Sequence, residues 1–112
     1  MKKEELDALL KDIYDSMQTI FGNKMKAVIL YGSYARGDYD AESDVDIAVL
    51  VDSDRESLSQ YHQALVKQMS RFMMDYDRLV SLTDIPASDF DAYRNILPFY
   101  RNIDAEGVRL SA

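Results

Sequence analysis

The chain has 112 residues, a 47% apolar share, no cysteine, and a formal charge of −7 from twenty acidic against thirteen basic residues. That length suits one compact domain spanning residues 1–112, the lack of cysteine excludes disulfides, thiolate metal centres and cysteine nucleophiles, and the acid excess argues against direct nucleic-acid binding. No apolar run approaches the ~20 residues of a membrane span, and the charged Met1-Lys2-Lys3-Glu4-Glu5 start lacks the apolar core of a signal peptide, so a cytoplasmic protein with no membrane contact is expected.

From Glu5 to Phe21, Leu6, Leu9, Leu10, Ile13, Met17, Ile20 and Phe21 recur at three- and four-residue steps, which predicts an amphipathic helix ended by Gly22-Asn23. Ala27–Tyr31 is a strand-like apolar run that delivers Gly32-Ser33 to its tip. A polar loop follows to Ser43, and Asp44-Val45-Asp46 opens a second apolar strand, Ile47–Val51. Asp52-Ser53-Asp54 offers helix N-cap chemistry, and Leu58, Tyr61, Leu65, Met69, Phe72 and Met73 share one face of a long helix. Met69, Met73 and Met74 are expected to fill the core, and His62, the only histidine, to be solvated.

The run Asp75–Leu82 predicts a third strand, closed by Thr83–Pro86. Ser88 is a candidate N-cap for a last helical stretch carrying Phe90, Tyr93, Ile96 and Leu97, interrupted by Pro98. Tyr93, Phe99 and Tyr100 are read as core. The order predicts one α/β layer pair without repeats or linkers.

Strand side chains alternate between faces, so Asp44 and Asp46 project together. Two like charges held so close call for a cation, and Mg²⁺ typically binds one or two protein carboxylates together with substrate phosphates. Gly32 removes a side chain where backbone must approach a ligand, and Ser33 can offer a hydroxyl and an amide to phosphate oxygens. A short helix starting there would add free N–H groups. Arg36 suits either a phosphate or an ion pair with Asp38 or Asp40.

Gly32-Ser33, ten residues, then Asp44-x-Asp46 resembles the signature of the minimal nucleotidyltransferases of the DNA polymerase β superfamily. The longer string Tyr31-Gly32-Ser33-Tyr34-Ala35-Arg36-Gly37 with Ser43-Asp44-Val45-Asp46 is similar to the MntA-type antitoxins, which are paired with HEPN-type toxins, and Arg101-Asn102-Ile103 with Glu106-Gly107-Val108 resembles their tail. The resemblance implies an α/β (α+β) DNA polymerase β-like fold, a small mixed sheet with helices packed mainly on one face. It implies that Asp44, Asp46 and a third acid on a neighbouring strand hold Mg²⁺ and are catalytic, Asp77 being expected in that third role and Asp75 the alternative. It further implies that Gly32, Ser33 and Arg36 bind ATP, and that AMP passes to a hydroxyl, expected to be a tyrosine's, of a partner HEPN-type toxin. The same residues would also serve a non-catalytic nucleotide-binding module that silences its partner by stoichiometric complex formation.

Overall fold

Helix α1 covers Lys3–Phe21 and buries the stripe Leu9, Ile13, Met17 and Phe21, the spacing its sequence carries. The structure, a computed structural model, describes residues 1–111. A single 3₁₀ turn at Gly22–Lys24 turns the chain into strand β1, Met25–Tyr31. After the four-residue helix α2, Ser33–Arg36, and a loop, strand β2 runs Val45–Val51.

Asp54 then caps helix α3, Arg55–Leu58, its side chain accepting from the Ser57 amide at 2.7 Å. The predicted long helix is broken here. A 3₁₀ turn at Ser59–Tyr61 separates α3 from α4, His62–Tyr76, and Tyr61 packs on Phe21 with ring centroids 4.6 Å apart. Helix α4 also runs past the point where the third strand was expected to begin. Its C-terminal part is clamped to α1: Arg71 donates two bonds to Asp12, at 2.7 and 2.9 Å, and the Tyr76 hydroxyl donates to the same carboxylate at 2.9 Å. Asp77 stops the helix in the left-handed conformation (φ 53°), and strand β3 is Val80–Pro86.

Helix α5 is Ala87–Tyr93, starting directly from Pro86 rather than from a Ser88 cap. Helix α6 is Pro98–Glu106, with proline at its first turn where a missing N–H is harmless. A two-residue strand unforeseen from the sequence, β4 (Val108–Arg109), ends the order.

The sheet order is β3-β2-β1-β4. β1 is antiparallel to β2 and β4, while β3 is parallel to β2, so the sheet is mixed as expected. Alternation divides its residues between two cores. Val28, Leu30, Val45, Ile47, Val49, Val51, Val80 and Leu82 meet the long helices α1 and α4 on one face. Ala27, Ile29, Ala48, Leu50 and Ile85 meet Phe90, Tyr100 and Ile103 of the short helices α5 and α6 on the other. Of the residues read as core, Tyr100 is buried, whereas Tyr93 and Phe99 are exposed and Met74 is 85% exposed. No described helix is long and apolar enough to cross a membrane.

Candidate active site

Asp46 stands at the start of β2 on the face that α5 and α6 cover, and is partly exposed there. It pairs with Tyr31 of β1 on one side and Ser81 of β3 on the other, all three partly exposed. Immediately after Tyr31 the chain turns at Gly32 with φ +74°, a conformation that glycine adopts without a steric penalty. A Cβ on Gly32 would overlap Asp46 Oδ2. Backbone and carboxylate are therefore in direct apposition: what requires a residue without a side chain here is Asp46 itself, where the sequence reading expected the approach of a ligand.

Ser33 opens α2, so the amides of Ser33 and Tyr34 have no intrahelical acceptor and are free for an anion. The helix ends at Gly37, left-handed (φ +86°), whose N–H returns to Ser33 O at 2.9 Å. The loop to β2 has its own scaffold. Asp40 Oδ1 accepts from the Glu42 amide at 2.9 Å and from the Ser43 hydroxyl at 3.2 Å, while Ser43 Oγ accepts the Asp40 amide at 3.0 Å. Those bonds set the approach of Asp44 to the site.

Arg36 pairs with Asp38 at 3.2 Å and with Glu106 of α6 at 3.1 Å, leaving Asp40 to the loop. Both contacts are exposed, so they hold the guanidinium only lightly and a phosphate could replace them. Tyr34, buried, stacks on Tyr39 with centroids 4.1 Å apart and planes 9° from parallel, pinning the loop to α2. The Tyr34–Tyr39 stack and Glu106 were not identified from the sequence, because neither partner lies at a spacing that betrays the contact.

Partial burial pushes the Asp46 carboxyl above the usual carboxylate range, the neighbouring Asp44 pushes it further, and Arg36 opposes both. Burial likewise raises the Tyr31 phenol, and the charge on Asp46 adds to that. A bound cation would relieve both effects. Two hard carboxylate oxygen donors, with no thiolate in the chain, fit Mg²⁺ shared with a ligand's phosphates.

Asp77 is not brought to this site. It sits exposed at the end of α4, in a groove of about 510 Å³ shared with Glu4 and Glu5 of α1. Asp75 is occupied by Arg71 at 3.4 Å. Neither lies on a strand, because the third strand expected over Asp75–Leu82 begins only at Val80. Among the described residues no three His, Cys, Asp or Glu side chains converge as a metal site. His62 is exposed near Arg55, Ser59 and Asp84, away from Asp46.

Residues 10–99 match the family described as "Nucleotidyltransferase domain". A "putative protein adenylyltransferase" of Methanocaldococcus jannaschii is 43% identical over 77 residues, covering 69% of this chain and 76% of that protein. A crystal structure of a "putative nucleotidyltransferase" from Sulfolobus solfataricus superposes with a TM-score of 0.57 at 21% identity, covering 95% of this chain and 82% of the other. A mutant of the toxin–antitoxin MntA–HpeT superposes with a TM-score of 0.50, also at 21% identity, covering 100% of this chain and 74% of the other.

Proposed function

The chain belongs to the nucleotidyltransferase domain family, and on that premise we propose that it transfers AMP from ATP to a hydroxyl of a partner protein, a HEPN-type toxin that it thereby neutralises. The observation that carries this reading is the contact between Gly32 and the Asp46 carboxylate, with Asp44 alongside. A phosphate-binding turn and a cation-binding pair form one site at the partly exposed end of the sheet.

The chain's own residues divide the work. Gly32 lets the turn close onto the Asp46 carboxylate, and the Ser33 amide and hydroxyl can bond phosphate oxygens. Arg36 is placed to exchange Asp38 or Glu106 for a phosphate oxygen. Asp44 and Asp46 would hold Mg²⁺, which when bound with ATP neutralises phosphate charge and makes the α-phosphorus a better electrophile. The acceptor oxygen then bonds to that phosphorus as its bond to the bridging oxygen breaks. Pyrophosphate leaves, and the acceptor proton passes to solvent or a carboxylate. Positioning and electrostatics supply most of such a reaction.

Protein as the acceptor is supported by the similarity to the M. jannaschii protein named "putative protein adenylyltransferase", and a toxin as that protein by the antitoxin-like string Tyr31–Gly37 with Ser43–Asp46. Incubation with ATP, Mg²⁺ and the product of the neighbouring gene should add increments of ~329 Da to that product by intact mass, the size of one transferred AMP. Asp44→Asn with Asp46→Asn should abolish the gain. Increments that persist in the double variant would refute the assignment.

A further inference from the structure

Beside Asp46 on β3 lies a serine. β2 and β3 are parallel with Asp46 paired to Ser81, and partners in register point to the same face. Packing fixes that face independently: Ala48, Leu50 and Ile85 meet one core, whereas Ile47, Val80 and Leu82 meet the other. By alternation, the positions of β3 on the Asp46 side are Ser81, Thr83 and Ile85, and none is a carboxylate. Asp84 belongs to the opposite face, where it stands with Arg55 and His62. Asp77 is four residues upstream of Ser81, in the turn after α4.

Two carboxylates with no third are a poor Mg²⁺ site by themselves, because this ion gives up its water reluctantly and is usually held by one or two carboxylates together with substrate phosphates. We infer that the cation platform of this chain is completed by the nucleotide: Asp44 and Asp46 hold one divalent ion only together with the triphosphate, and Ser81 stands where a third carboxylate would be needed to hold a second. This rests on the nucleotide-site reading above and departs from the three-acid site that the family resemblance implies. Binding is therefore ordered, the ion arriving with its nucleotide, and a free cation does not occupy the site beforehand.

The test counts Mn²⁺ bound to the full chain by electron paramagnetic resonance and calorimetry, with and without a non-hydrolysable ATP analogue. The wild type should hold one Mn²⁺ per bound analogue and show no saturable site tighter than ~1 mM without it. Ser81→Asp should bind Mn²⁺ without nucleotide about tenfold more tightly and take a second ion with the analogue, since cation affinity follows ligand charge. Ser81→Asn, the neutral isostere, should stay at one. Two ions per analogue in the wild type would overturn this inference and leave the functional reading standing, and so would a folded Ser81→Asp chain that gains no affinity. Failure of the wild type to bind the analogue would overturn both. If Ser81→Asp does not fold, the wild-type count decides alone.

Discussion

Gly32 is constrained twice, by its backbone angle and by the carboxylate against it. Gly32→Ala should therefore cost about 1–3 kcal/mol in stability through the strained φ. It should also cost turnover about 100-fold, because Asp46 must shift by an ångström-scale distance. Chemical unfolding and initial rates of AMP transfer separate the two effects. Asp46 itself works against stability. Its folded pKa is raised, chiefly by burial and then by Asp44, so the folded chain holds its proton more firmly than the unfolded chain does. The charged carboxylate thus destabilises the fold above that raised value, and the cost disappears below the ordinary carboxyl pKa of about 4. Asp46→Asn should melt higher than wild type at pH 7, show no gain near pH 4, and lose transfer. A lower melting temperature at pH 7 would contradict the strain assigned to this site. The positions of Gly32, Ser33, Asp44 and Asp46 about the adjacent ends of the first two strands were legible in the sequence, because spacing there converts directly into position. The absence of Asp75 and Asp77 from β3 was not, because it depends on where that strand begins.

That starting point is decided by α4. Asp75-Tyr76-Asp77 reads equally as a strand entry or as a last helical turn, and local propensity does not separate the two. The clamp to α1 does: Arg71 and Tyr76 reach Asp12 only if the helix continues through Tyr76. Sequence separations of 59 and 64 residues hid it. Hydrogen bonds from Arg71 hold the Asp12 carboxyl below its ordinary range, with Tyr76 and Ser16 assisting against burial. A lowered folded pKa contributes stability above the unfolded value, lost as pH falls through the folded one. Asp12→Asn should thus cost about 1 kcal/mol at pH 7, since the pair is partly exposed, and the difference from wild type should shrink below pH 4. Phe72, fully buried just after Arg71, reports the same helix through packing, and Phe72→Ala should cost about 3–5 kcal/mol by thermal unfolding. The break between α3 and α4 went unread for the same kind of reason. Tyr61 is drawn onto Phe21 of α1, a contact that helical periodicity in either segment does not announce.

Across the molecule, the helices and main strands were legible in the sequence from the order of periodic segments and the mixed sheet from the family resemblance, while the second helical layer of α5 and α6 and the return of the chain end were not. β4 is two residues long and solvent-exposed, so it carries no hydrophobic signature. What positions it is Gly107, where a Cβ would overlap both Ile103 O and Ile29 Cγ2. Gly107→Ala should shift α6 away from β1 and cost about 1–3 kcal/mol as an overpacked contact, with faster amide exchange at Leu110, whose N–H donates to Val28 O at 2.8 Å. The chain therefore meets itself late: α6 supplies Tyr100 and Ile103 to the second core and Glu106 to Arg36, seventy positions earlier. During synthesis the nucleotide turn and both aspartates leave the ribosome long before the helix that braces them. A nascent chain short of α6 lacks Tyr100 and Ile103 of the second core, so if the proposed function holds, ATP capture should begin only once residues through about 106 have emerged, a delay between making the protein and making it competent.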